Sequence, residues 1–319
     1  MNDRRPSTDP LDELRYALAE GNAQRPSAAL ADAVMAAALN ARSAGRPVDD
    51  PEPISPVEAL AQASASLDSL LGSLRPAEWR RPCIRALSVQ GLVGHLIGVE
   101  RDFQAALGAP EGHEARADHV ASTDPVAQEH SGRPPAETLD AWRASVATTA
   151  RLLAEVPSSG ADGEHPVALY GLRLELGPFL VVRTFELWTH EEDIRRATGR
   201  HLRAPGAATL ALMTSLAVTL LPAALARTER SGEGLSARIV LTGPGGGTWQ
   251  RGLGPPSAAG GPAAVVNEGP VDVRIVVDAV EFCRLVANRV DPGTLAAVVT
   301  GDAALARDLF VGAAGLALD

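Results

Sequence analysis

The chain has 319 residues, 45% of them hydrophobic and 3% aromatic, with a formal net charge of −10. That length holds two domains, each with a core of its own. The acidic balance, without any basic run, excludes nucleic acid or an anionic membrane surface as the main partner, and the scarcity of aromatic rings excludes a platform for stacking bases.

The start, Met1-Asn-Asp-Arg-Arg-Pro6, lacks the apolar core of a secretory signal, which leads us to expect a cytoplasmic protein. All 29 basic residues counted as Lys or Arg are Arg, and with the abundant Ala, Gly and Pro this composition fits a genome rich in G and C. Residues 1–50 read as a helical appendage with patterns at Leu11–Glu20 and Ser27–Arg42. Leu30, Val34 and Leu39 among many alanines give it too little apolar area to stand alone, so it is expected to dock on something else, a protein partner being one option.

After the linker Asp49-Asp-Pro-Glu-Pro53, Ser55-Pro-Val-Glu58 combines a capping box with Pro at the first helical position. Leu60, Leu67, Leu70, Leu71 and Leu74 follow at helical spacing. A second helix is expected over Ser88–Leu107, a third over Ala136–Val156 and a fourth over Gly177–Thr198, stopped by Gly199. Four amphipathic helices of similar length predict a four-helix bundle over residues 51–203. The connection from Ala109 to Pro135 reads as a long polar loop, with His113, His119 and His130 as solvated residues that lack metal spacing.

Ala204–Ala226 carries no charge and approaches the length of a membrane span, but Thr209, Thr214, Ser215, Thr219 and Pro222 dilute it. It reads as a buried helix between soluble domains, with no membrane partner. Residues 204–319 then turn to β patterning. Arg238–Thr242 and Thr248–Arg251 flank Gly243-Pro-Gly-Gly-Gly247 as a hairpin. No helix follows those glycines directly, which excludes a phosphate loop. A strand at Val271–Val277, a helix over Ala279–Asn288, a strand at Ala296–Thr300 and a helix capped by Asp302 complete a small α+β domain. Cys83 and Cys283 lie far apart and read as buried or incidental thiols.

Within the fourth helix, Glu186 and His190 stand four residues apart and share a face, with Asp193 one turn on. Leu180, Leu187 and Ile194 mark an adjacent apolar stripe. Alone, the pair is a weak signal for metal, because such pairs are common on solvated helices. The second helix adds His95 in Gly91-Leu-Val-Gly-His-Leu-Ile-Gly98. Gly91 and Gly98 precede and follow it on its own stripe, at about 1 kcal/mol each relative to Ala. Two readings stand: close helix packing, or an imidazole kept uncovered toward a ligand inside the bundle. His95, Glu186 and His190 together form a two-histidine, one-carboxylate set that leaves a position open, as catalytic zinc sites do. The donors suit iron, nickel and manganese as well. The zinc-protease pattern is absent, since Ile194 stands where its second histidine belongs.

Gly91–Gly98 and Phe185–Ala197, followed by Arg238–Gly243, Asn288–Pro292 and Thr300–Asp302, resemble the mycothiol-dependent maleylpyruvate isomerase family over residues 55 to 319. The resemblance implies a mainly α protein, a DinB-like metal-binding four-helix bundle followed by a sterol-carrier-like α+β domain. It also implies a divalent metal, zinc first, on His95, Glu186 and His190, and mycothiol, the actinobacterial thiol, as cosubstrate for an isomerase or S-transferase acting on a small electrophile. Asp193 is expected to orient a ligand or the thiol, or else to pair with Arg196 on the helix surface. Arg289 is expected to contact an anionic substrate or thiol, or else to form a salt bridge. Trp188 reads as core. Two other readings belong to the same residues: a non-catalytic regulator that binds a partner through residues 1–50, and a metal-assisted hydrolase.

Overall fold

The computed structural model describes Ala29, Leu30, Ala33, 51–109, 118–156, 165–254 and 269–317. Ala29, Leu30 and Ala33 are helical. The pattern expected at Leu11–Glu20, and the rest of that at Ser27–Arg42, lie outside the described residues.

Residues 51–319 form one compact unit. Its first part is helical: α1 (Pro56–Gly72), α2 (Val89–Leu107), α3 (His119–Ser131), α4 (Pro135–Glu155) and α5 (Leu176–Thr198). Ser55 caps α1 by accepting from the Glu58 N–H at 3.1 Å, and Ser88 does the same for α2 through Gly91. Each cap satisfies a backbone donor that the first turn leaves without a partner. At the far end of α5, Gly199 turns left-handed (φ 69°) and the Arg200 N–H returns to the Arg195 carbonyl at 2.8 Å. The apolar stripes meet in one core through Leu67, Leu92, Leu96, Trp142 and Leu187, with Phe103 stacked on Phe179 at 5.3 Å.

Two features differ from the sequence expectation. The loop expected between Ala109 and Pro135 contains α3, which packs along α2. A hairpin of β1 (Pro166–Leu169) and β2 (Leu172–Glu175) enters α5, and Tyr170 and Gly171 at its turn both have positive φ.

The glycines of α2 exist for α3. A Cβ on Gly94 would lie 2.8 Å from Cβ of His130 and 2.9 Å from Cα of Ala127, and one on Gly98 would lie 3.2 Å from Thr123. The packing reading of this stripe is therefore the correct one: α3 comes in against the bare backbone of α2, and His95 is fully buried beneath it.

The second part is a mixed sheet of β3 (Ser236–Thr242), β4 (Gly247–Gly252), β5 (Val273–Asp278) and β6 (Ala297–Gly301), in the order β4-β3-β5-β6. Only the β3–β5 pair is parallel, with Ile239 opposite Ile275. Helices α6 (Ala207–Leu225), α7 (Ala279–Val286) and α8 (Ala303–Ala314) bury the alternating apolar face of this sheet. The uncharged segment forms α6, whose Leu210, Met213, Val218 and Leu221 are buried in that core. By length and composition α6 is able to cross a membrane. The hairpin glycines also have a packing role: Gly245 (φ 68°) approaches the start of α6 so closely that a Cβ would lie 2.7 Å from the Ala207 carbonyl. Thr214 then donates to the Gly245 carbonyl at 2.8 Å.

Gly94→Ala is expected to lower stability by about 1–3 kcal/mol, because backbone and Cβ atoms of α3 must give way. Gly72→Ala, where a Cβ meets nothing closer than the end of Arg143 at 3.6 Å, should be neutral or slightly stabilising. Urea midpoints of the two variants at unchanged m-value check the contrast.

Candidate metal centre

The α2 and α5 helices bring His95, Glu186 and His190 together, with one ligand atom from each all within 4.8 Å of one another. His95 Nε2 lies 3.5 Å from Glu186 Oε1. Both atoms are buried and neither makes a conventional hydrogen bond. Two lone pairs facing each other are what a cation would satisfy.

The outer nitrogens of the imidazoles are engaged. Thr123 donates its hydroxyl proton back to the His119 carbonyl (2.8 Å), so its oxygen accepts from His95 Nδ1 at 2.8 Å. The Arg85 guanidinium lies 3.4 Å from the same nitrogen, a longer and weaker contact. His190 Nδ1 donates to Asp193 at 3.1 Å. Both rings thus turn Nε2 toward the centre, the orientation that a hydrogen bond at the outer nitrogen imposes on metal-ligating histidines. Burial, the largest influence on His95, outweighs the attraction of Glu186 and lowers its pKa to about 4. His95 is therefore a neutral donor at pH 7.

Glu186 is held from behind. Burial on its own would raise its pKa, but the Arg183 guanidinium one turn earlier, joined by the His119 and His95 imidazoles, keeps the carboxyl well below the usual range. Arg183 bonds Glu186 Oε2 through one nitrogen and Glu100 Oε1 through another at 2.6 Å, and Thr149 donates to Glu100 Oε2 at 2.5 Å. Glu186 Oε1 is left pointing at the histidines.

His119, expected in a solvated loop, is the first residue of α3 and is buried, with Nε2 3.3 Å from Glu186 Oε1. Its ring sits 4.8 Å from that of His95 and 4.5 Å from that of Tyr170. The Tyr170 hydroxyl donates to Asp102 at 2.9 Å. His130 is also buried rather than solvated, but stands apart from the site, beside Thr138 at 3.2 Å. His113 lies outside the described residues. The spacing of His119, Thr123, Ala127 and His130, all buried, is the helical signal that would have found α3.

Asp193 is buried rather than on the helix surface, between His190 and two arginines. It accepts from His190, and it is paired with Arg196 at 3.3 Å. Arg289, from the loop after α7, forms a bidentate pair with Asp193 at 2.8 and 3.0 Å, the salt-bridge outcome of its two readings. Burial would raise the Asp193 pKa, but the hydrogen bonds from His190 and Arg289 outweigh it and hold the carboxyl at about 2. Trp188 is buried and donates to the Arg203 carbonyl at 2.9 Å.

The centre opens into a cleft between the bundle and the C-terminal helices. Its floor is His119, Glu186, Thr189 and His190, and its walls include Phe185, Leu216, Leu220 and Val286.

Residues 60–195 match the family model described as the mycothiol maleylpyruvate isomerase N-terminal domain. Comparison with curated protein sequences finds no match. Among solved structures, the chain is similar to the mycothiol-dependent maleylpyruvate isomerase at 15% identity and a TM-score of 0.51, covering 74% of this chain and 88% of that one. A mutant of that enzyme gives 14% identity and a TM-score of 0.49 over the same shares. At such identities the likeness is one of fold.

Arg183→Met should destabilise the protein by about 3–5 kcal/mol, since it leaves Glu100 and Glu186 charged in the interior without a counter-ion. The loss should exceed that of Glu100→Gln, which keeps Glu186 paired. Denaturant unfolding of both variants checks the order.

Proposed function

We propose that the chain, whose residues 60–195 match the mycothiol maleylpyruvate isomerase N-terminal domain model, is a metal-dependent and mycothiol-dependent isomerase or S-transferase of a small electrophile. His95, Glu186 and His190 are its metal ligands in this reading, with zinc as the metal. The observation that carries it is the pair of buried acceptors without hydrogen bonds, His95 Nε2 and Glu186 Oε1, beside a cleft that Glu186 and His190 line. Two imidazoles and a carboxylate fit a divalent ion and leave room for one further group.

A cation held there would lower the pKa of a thiol and so supply a thiolate at neutral pH. The chain's own residues do the rest. Thr123 and Asp193 fix the imidazole tautomers, and Arg183 keeps Glu186 ionised and correctly turned. Arg289 steadies Asp193 and so acts on His190 at one remove. His119 and Thr189 are placed to hydrogen-bond a bound thiol or electrophile from the floor of the cleft. The apolar walls exclude water, which favours addition of the thiolate over hydrolysis.

The reacting sulfur is supplied from outside. Burial, reinforced by the nearby Asp193, raises the Cys83 pKa to about 12, and Cys283 is fully buried in the C-terminal core with its pKa raised by burial. Neither is a thiolate at neutral pH. In the proposed reaction the external thiolate forms a C–S bond at one end of a conjugated double bond and the electron pair moves toward the activating carbonyl. Rotation and loss of the same thiolate give an isomer, whereas protonation of the adduct gives a transferase product.

Purified protein should contain about one divalent metal per chain, by elemental analysis, with the metal lost in His95→Ala and His190→Ala. Full occupancy in both variants would sink the triad. In a panel of electrophiles, turnover should require mycothiol, and turnover that proceeds equally without thiol would point to hydrolysis in its place.

A further inference from the structure

The cleft above the centre has a composition that the thiol chemistry does not explain. Val182 and Phe185 of α5 form one wall, and Leu216 and Leu220 of α6, Val286 of α7 and Leu316 beyond α8 form the other. Polar groups are confined to the floor, where His119, Glu186, Thr189 and His190 meet. Among the described residues that line it, none is Arg and none of the wall positions is charged.

Four of the guanidinium groups close to the site are held by carboxylates, while that of Arg85 lies 3.4 Å from His95 Nδ1. Arg183 is shared between Glu100 and Glu186. Arg289 is clamped on Asp193, Arg284 on Glu192 at 2.6 Å and on Glu281 at 2.5 Å, and Arg196 on Glu192 and Asp193. These four arginines face five carboxylates, so the paired set adds no surplus positive charge to the cleft. The protein as a whole is acidic as well, at −10.

We propose that this cleft selects an uncharged, largely apolar electrophile rather than a dicarboxylate such as maleylpyruvate. The inference rests on the proposed thiol chemistry for the word electrophile, and on the cleft alone for the word apolar. A dianion entering it would lose hydration against leucine, valine and phenylalanine side chains with no cation on the walls to compensate. A ring or short alkyl chain would gain from the same surfaces, while one carbonyl hydrogen-bonded at the polar floor would fix its orientation. Specificity then lies in α6 and the C-terminal end of the chain, apart from the residues that hold the metal.

Binding of two non-reactive probes with one skeleton tests this: dimethyl phthalate, which is neutral, and phthalate, which is dianionic. Titration calorimetry on the full chain, as purified and without thiol, should give at least about tenfold tighter binding of the diester, the equivalent of about 1.4 kcal/mol. Leu220→Arg and Leu216→Lys place a cation on the α6 wall at positions that are only partly buried. Either should weaken the diester and strengthen the dianion, narrowing the ratio by at least about threefold, with circular dichroism confirming the fold. Equal or tighter binding of phthalate to the unmodified protein overturns the proposal, as does failure of both probes to bind. A diester preference that neither variant alters overturns the assignment to this cleft. Neither thiol nor turnover enters the measurement. An absent thiol requirement would leave the preference standing, and a reversed preference would leave the thiol requirement standing.

Discussion

The site depends on keeping one carboxylate ionised inside a helical bundle. Burial opposes the charge on Glu186, and the protein meets that cost with Arg183 on the preceding turn of α5. A guanidinium so deeply buried is itself expensive, so Glu100 from α2 and the hydroxyl of Thr149 from α4 complete the network. Three helices are thereby fixed in register around a single charge pair. Such a network is weak as a source of stability and strong as a determinant of geometry, because any shift of α2 along α5 would strand a charge. The position of Oε1 relative to His95 follows from this register.

The second constraint is steric. Bare backbone on α2 lets α3 approach within ordinary contact distance, and that approach delivers Thr123 to His95 and His119 to Glu186. The glycines thus serve the site indirectly. They do not uncover the imidazole; they admit the helix that covers it and sets its tautomer. A site with two histidines from the regular bundle and one from an inserted helix results, with the remaining side turned toward the C-terminal domain.

Much of this was legible in the sequence where local chemistry decides structure. Caps at Ser55 and Asp302, the left-handed stop at Gly199 and the period-two strands all express rules that operate within a few residues. Glu186 and His190 were visible for the same reason, since helical spacing alone aligns them, and His95 entered through its unusual glycines. The α3 helix was not legible. Pro125 lies inside it and its apolar pattern is faint, so local preference argued for a loop while packing against Gly94 and Gly98 decided otherwise. His119 was lost with it. Arg183 was missed because a buried guanidinium is read from sequence as a solvated one. Its partner Glu100 lies 83 residues away, beyond any local pattern.

The remaining dependence runs across the boundary between bundle and α+β domain. Glu192 and Asp193 are adjacent on α5, and each is clamped by an arginine from α7 or the loop after it. Asp193 also receives the His190 Nδ1 proton, so a group of the C-terminal domain bears on a residue that faces the centre without touching the centre itself. The same domain supplies the α6 wall of the cleft. Two contacts are therefore divided along one interface: arginines of the second part hold the α5 carboxylates beside the centre, while its leucines line the cleft above it. Because the two sets share no residue, the wall is free to vary in size and polarity while the donor geometry stays fixed.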